Sequence, residues 1–156
     1  MDYTCKEKLD DFEKVEKFRT KVLKYIVYKK RTENEIRKKF ENEDQDMLEE
    51  TISYFKEQGY IDDSIYVERA INEFMALNTL SIKELKYKLM KKGIDSNLID
   101  DFICKNEEQI VQYEINSCIK IIEKKRKNQD DDSIKRYLYS KGYTSESISI
   151  AYESLG

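Results

Sequence analysis

The chain has 156 residues, with 29 lysines and arginines against 32 aspartates and glutamates, and a formal net charge of −3 at neutral pH. That length amounts to one domain, or to one compact array of small units. With no histidine and only four glycines, the chain lacks the usual general base near neutral pH, the commonest transition-metal ligand and the material for a glycine-rich phosphate loop.

Proline and tryptophan are also missing, so little is available to break helices, and the expected fold class is all-α. In chain order, apolar residues spaced three and four apart predict a helix over about residues 10–30 (Phe18, Val22, Tyr25, Ile26), a second over 32–42 and a third over 46–58 (Leu48, Ile52, Phe55). A second trio follows over about 63–78 (Tyr66, Ala70, Phe74, Leu77), 81–92 and 95–105. The last trio covers about 108–127 (Val111, Ile115, Ile119, Ile122), 130–141 and 144–155.

The trios are copies. TENEIRKKF, SIKELKYKL and DDDSIKRYL begin at Thr32, Ser81 and Asp130, 49 residues apart each time and without a gap. Each opens on a residue able to cap a helix and then places apolar residues four and eight on: Ile36 and Phe40, Leu85 and Leu89, Ile134 and Leu138. Glu35 and Glu84 complete capping boxes in the first two. The same offset pairs Gly93 with Gly142, so KKGI and SKGY read as helix stops with glycine in the left-handed position. The first copy carries Asp44 there, which predicts a looser turn. Three tandem three-helix repeats, covering 1–62, 63–106 and 107–156, are expected to stack into an elongated, curved array.

Between the first two repeats lies FKEQGYIDD. Gly59 is expected to end a helix, Tyr60 and Ile61 to turn inward, Asp62 to cap the next helix, and Asp63 to sit at that helix's positive end. Ile61 and Tyr66 occupy the two positions of a hydrophobic staple. The five residues Gly59, Tyr60, Ile61, Asp62 and Asp63 therefore read as an inter-repeat hinge. Adjacent carboxylates on a helix diverge, so this pair does not form a metal site by itself. No catalytic, cofactor-binding or metal-binding residue is assigned.

Three cysteines far apart in sequence (Cys5, Cys104, Cys118), an N-terminal segment rich in charge, and no apolar run of membrane-spanning length point to a cytoplasmic chain that contacts no membrane. Nothing suggests a coiled-coil seam, and a monomer is expected.

KRTENEIRKKF, FKEQGYIDDSIY, LKYKLMKKGI and LYSKGY, taken in this order from about Phe18 to the C-terminus, resemble the RecX family of bacterial recombination regulators. The resemblance implies three tandem three-helix repeats, no enzymatic activity, and binding in the groove of the RecA–DNA filament. It also implies restraint of RecA's ATP hydrolysis, strand exchange and co-protease activity in recombination and the SOS response. This chain departs from the family pattern at NEFMALNTLSIKE, where Asn78 and Leu80 stand in place of arginines and a glycine, and at IVQYEINSCIKII, which lacks a tryptophan.

The repeat register puts Arg37, Lys86 and Lys135 at one position, Lys38, Tyr87 and Arg136 at the next, and Lys39, Lys88 and Tyr137 after those. Lys91, Lys92 and Lys141 extend the set. Stacked repeats would align these side chains as a basic stripe facing the RecA filament, with a weak contact to DNA. Lysine-rich helix faces also commonly just meet water. Two other readings stay open: an autonomous DNA-binding helical module, which the net negative charge opposes, and a helical scaffold between two proteins.

Overall fold

The computed structural model describes residues 2–77 and 80–156, and among these every regular element is helical. The order is α1 (Asp2–Tyr28), α2 (Glu33–Lys39), α3 (Gln45–Glu57), α4 (Asp63–Leu77), α5 (Ile82–Lys91), α6 (Ser96–Lys105), α7 (Glu107–Lys125), α8 (Asp131–Lys141) and α9 (Ser145–Leu155). The nine helices among the described residues are the nine read from the sequence. Helix α1 starts earlier than its apolar pattern suggested, because the charged stretch before Phe18 continues the helix, with residues 5–14 exposed. Asn78 lies outside the described residues.

The chain divides into two compact units, Met1–Tyr66 and Val67–Gly156, and the division falls within α4. In the first unit Phe18, Val22 and Ile26 of α1, Ile36 and Phe40 of α2, Leu48, Ile52 and Phe55 of α3, and Ile61 form one buried core. Phe40 meets Phe18 and Tyr25 edge-on, with centroids 5.6 and 5.7 Å away, the arrangement ring quadrupoles favour. In the second unit Cys118, Ile122, Ile134, Leu138, Tyr143, Ile148 and Ala151 form the core of α7, α8 and α9. Val67, Ile71, Leu85, Leu89, Ile94 and Ile99 are buried along α4, α5 and α6.

Both capping boxes form as expected. Glu35 N–H donates to Thr32 Oγ1 at 3.1 Å while Thr32 N–H donates to Glu35 Oε1 at 3.2 Å. Glu84 N–H donates to Ser81 Oγ at 3.1 Å and Ser81 N–H to Glu84 Oε1 at 3.1 Å. Asp130 caps α8 alone, accepting from Ser133 N–H at 2.8 Å. The stops are equally regular. After Gly59, Gly93 and Gly142, each at positive φ, the next amide reaches back to the carbonyl of Phe55, Leu89 and Leu138 respectively, which is the Schellman closure.

The register extends beyond the motifs that revealed it. Phe18, Val22 and Tyr25 of α1 stand 49 residues before Val67, Ile71 and Phe74 of α4. Cys118, Ile122 and Lys125 of α7 follow these at 51, and the caps of α3 and α6, Asp44 and Asp95, are also 51 apart. The middle trio thus carries two more residues than the first between its second and third helices, and two more than the last between its first and second. This explains Asp44: α2 ends about a turn early, with Phe40 as its C-cap, and Asp44 becomes the cap of α3 by accepting from Met47 N–H at 3.1 Å.

The glycines differ in their surroundings. A Cβ on Gly142 would stand 2.8 Å from Cβ and Cδ of Lys83, whereas one on Gly59 would meet nothing within 4 Å. Gly59→Ala is therefore expected to cost about 1–2 kcal/mol from left-handed backbone strain alone. Gly142→Ala adds a clash and should cost more. Urea unfolding of both variants checks the order, and equal losses would contradict it.

Candidate partner-binding site

Each middle helix presents its cations on two sides, and the structure sends the two sides to different work. At the position shared by Arg37, Lys86 and Lys135, every side chain reaches the third helix of its own trio. Arg37 forks onto Glu49 of α3, with Nη2 to Oε2 at 3.1 Å, and also pairs with Glu33. Lys86 Nζ is 2.7 Å from Asp100 of α6. Lys135 Nζ lies 4.9 Å from the ring centroid of Tyr152 on α9. These three cations are tied within the fold, and for Arg37 the bond to Glu49 also raises the guanidinium pKa.

Two positions on, every side chain reaches the first helix of its trio. Lys39 Nζ lies 5.7 Å over Tyr25 and Lys88 Nζ 5.6 Å over Phe74. In the last trio the partners are exchanged: Tyr137 supplies the ring and Lys125 Nζ sits 3.8 Å above it. The cation–π clasp therefore recurs in all three trios with its polarity reversed in the third, each contact having a strength of about 0.5–1 kcal/mol where exposed.

The remaining predicted residues are placed as follows. Lys38 is exposed on α2, in the first unit. Arg136 Nε donates to its own helix at Asp132 O, 3.4 Å away. Lys91 lies 4.9 Å over the ring of Tyr87, which is 59% exposed. Lys92 is half-buried and serves as the C-cap of α5. Lys141 lies 5.6 Å over Tyr137. Within the second unit, Lys88 and Lys141 line one groove of about 340 Å³, together with Lys83, Glu84, Tyr87, Ser140 and Gly142. Lys86 and Lys135 do not line it. The register could not have singled out Lys83, because its counterparts are Asn34 and Asp132; only its approach to Gly142 across the fold puts it there.

The two helices that line this groove are bonded to each other. Ser81 Oγ, wholly buried, accepts from Glu84 N–H and donates to Lys141 O at 2.6 Å, so the start of α5 is bonded to the end of α8. Nearby, the Tyr113 hydroxyl donates to Leu80 O and accepts from Leu80 N–H at 3.3 Å. Ser117 Oγ and Tyr143 OH are 2.6 Å apart. The buried carboxylate of Glu114 accepts from Ser147 Oγ at 2.6 Å and Thr144 Oγ1 at 3.2 Å, at the positive end of α9. Burial, then the Glu114 charge, pushes the Cys118 thiol up to about 12, which keeps it protonated and unreactive.

The FKEQGYIDD segment belongs to the first unit. Gly59 and Ile61 sit as expected, but Tyr60 does not turn inward: it is 52% exposed, its ring edge-on to Phe55 at 5.8 Å. Only Ile61 points to the core, because the Schellman closure turns successive side chains to opposite sides. Asp62 caps α4, accepting from Ser64 N–H at 3.0 Å and Ile65 N–H at 3.4 Å. The Ser64 hydroxyl and these amides hold its carboxyl below the usual range. Asp63 instead accepts from Glu33 N–H at 3.0 Å, joining the start of α4 to the start of α2. Burial and the Glu33 charge push its carboxyl up.

Among the described residues no group of His, Cys, Asp or Glu is arranged to hold a metal ion, and no helix is long and apolar enough to cross a membrane. No family model matches the chain. Curated relatives carry the name Regulatory protein RecX. The one from Staphylococcus carnosus is 28% identical over 155 residues, 94% of this chain and 58% of its own length. The one from Lactococcus lactis is 28% identical over 160 residues, 96% of this chain and 58% of its own. The one from Clostridium beijerinckii is 30% identical over 130 residues, 74% of this chain and 57% of its own. The chain thus spans somewhat over half the length of the relatives it matches, and these are named as regulators rather than enzymes. Among solved structures, the crystal structure of RecX from Lactobacillus salivarius superposes with a TM-score of 0.76 at 24% identity, covering 92% of this chain and 97% of that one. A second, described as regulatory protein RecX, gives 0.73 at 23%, covering 89% and 73%. The fold is shared.

The two aspartates should answer pH in opposite senses. A carboxylate with lowered pKa stabilises the fold above the ordinary carboxylate range and loses that contribution as pH falls through it; one with raised pKa destabilises the charged fold, and the fold recovers as pH falls through the raised value. Asp62→Ala is expected to cost about 1 kcal/mol at neutral pH, with the deficit shrinking in acid. Asp63→Asn keeps an acceptor for Glu33 N–H without the desolvated charge, so it should unfold at a higher temperature than the parent at pH 7, with the gap narrowing as pH falls through the raised carboxyl value. Thermal melts from pH 7 down through the carboxylate range check both signs.

Proposed function

Starting from a chain that is a relative of the RecX regulatory proteins over most of its length, we propose that it binds the RecA–DNA filament in its groove and restrains RecA's ATPase, strand-exchange and co-protease activities without being an enzyme itself. The supporting observation is the trio fold it shares with RecX crystal structures, with a capped, glycine-stopped, lysine-bearing middle helix in the second and third trios. In this reading the chain acts as a monomer in the cytoplasm, in recombination and the SOS response. Residues 1–62, 63–106 and 107–156 are three functional repeats, and Gly59, Tyr60, Ile61, Asp62 and Asp63 join the first two as a hinge. A repeated unit suits a partner that is itself a repeat, because equivalent side chains can meet equivalent subunits.

The contact surface is the basic one: Lys38, Lys88, Lys91, Lys92, Arg136 and Lys141 face the filament, while Arg37, Lys86 and Lys135 hold the middle helices in place behind them. A weak contact with DNA accompanies the protein contact; with a net charge of −3 the chain gathers too few free phosphate contacts for tight binding to bare DNA.

The test is RecA's DNA-dependent ATPase with and without the protein. Inhibition is expected at less than one chain per RecA subunit, and none at equal stoichiometry would reject the reading. Tight, salt-sensitive binding to bare DNA without any effect on RecA would favour a DNA-binding module instead. Lys88→Glu with Lys91→Glu should raise the half-inhibitory concentration severalfold at unchanged helicity by circular dichroism. Lys86→Glu should lower the melting temperature, because it turns the Asp100 ion pair into a repulsion.

A further inference from the structure

The groove between α5 and α8 combines features that specify a ligand class. Its three cations, Lys83, Lys88 and Lys141, come from two helices that are far apart in sequence and bonded together through Ser81 and Lys141. Glu84 also lines it, but this carboxylate accepts from Ser81 N–H and is committed to the capping box. The lining also includes the Tyr87 ring and the bare backbone of Gly142, where a Cβ would strike the Lys83 stem. Lysine stems and a ring beside ammonium groups suit a ligand that carries both apolar and anionic groups.

Two classes of polyanion could use these ammonium groups, and the rings decide between them. Single-stranded nucleic acid binds through bare aromatic faces on which bases stack, together with a long run of phosphate contacts. Here the rings are already occupied: Lys91 lies over Tyr87 at 4.9 Å, and Tyr137 has Lys125 at 3.8 Å and Lys141 at 5.6 Å. Three ammonium groups in a chain of net charge −3 are few for a phosphate backbone but enough for a short protein segment.

We propose that this groove is a docking site for an acidic peptide segment of the protein partner, with carboxylates meeting Lys83, Lys88 and Lys141 and an apolar side chain lying against the Lys83 stem and the backbone of Gly142. This deepens the reading above and rests on it: it names the partner's contacting chemistry at one place on the basic surface.

The experiment titrates the full, isotope-labelled chain with a short synthetic peptide of aspartates and glutamates around a central leucine, followed by amide NMR. An oligothymidylate of equal charge serves as the second probe. Shifts clustered at Lys83 to Lys88 and Ser140 to Gly142 are expected, with affinity about tenfold weaker, or about 1.4 kcal/mol, in the Lys88→Glu, Lys141→Glu variant. If charge reversal unfolds the chain, Lys88→Gln with Lys141→Gln should still show a smaller loss. Shifts elsewhere, tighter binding of the oligothymidylate in the groove, or affinity unchanged in the variants would overturn the proposal. RecA ATPase is measured alongside. If the parent binds the peptide in the groove but fails to inhibit RecA, the functional reading falls and the groove stands; inhibition that persists in variants unable to bind the peptide removes the groove from the RecA contact.

Discussion

The structure depends on closing three very short helices at both ends. Helices α2, α5 and α8 have 7, 10 and 11 residues, lengths at which an isolated helix is not stable in water. Each is anchored by two large buried apolar side chains four residues apart, Ile36 and the C-cap Phe40, Leu85 and Leu89, Ile134 and Leu138, all at 3% exposure or less. Those pairs anchor the helix, and its ends must be satisfied separately. A hydroxyl or carboxylate cap meets the first free amides, and in α5 and α8 a left-handed glycine returns an amide to the carbonyl of the second anchor residue itself. Cap and anchor are thus mechanically linked: a longer or shorter helix would separate the stop from the residue it closes on.

The same economy governs the charges. With 39% of the chain charged, a uniformly solvated surface would be the simplest arrangement, yet the repeated cations are directed. One helical position reaches to the third helix and the position two further on reaches to the first, so each middle helix is braced on both sides by polar contacts outside its apolar core. That the cation–π partners are exchanged between Lys39 with Tyr25 and Lys125 with Tyr137 indicates that the contact matters and the direction of the dipole does not, as expected of a ring face and an ammonium group. Among the braced lysines, Lys39, Lys88 and Lys135 meet a ring, whereas Lys86 meets a carboxylate.

In the second unit, the hydroxyls of Tyr113, Ser117 and Tyr143 and the carboxylate of Glu114 replace part of what would otherwise be apolar packing along α7. Each has a partner, and several of those partners are helix ends: the start of α9 for Glu114, and the residue before the cap of α5 for Tyr113. A satisfied polar core of this kind specifies register more than it adds stability, which suits a unit built from two trios of one design.

By itself the sequence determined the class, the number of helices, the caps of the middle helices and the glycine stops, because each of these is a local matter: an apolar spacing, a hydroxyl three residues before a glutamate, a residue free to take positive φ. Local signals also placed Asp62 as a cap. They could not show that Asp63 reaches back to α2, that Tyr60 stays in solvent, or that Arg37, Lys86 and Lys135 are bound to neighbouring helices, since each of these depends on which groups a different stretch of chain brings within reach. The groove is the clearest instance. Lys83 has no basic counterpart in the other copies, and it lines that groove only because tertiary packing brings it against Gly142, where the missing side chain leaves room for its stem.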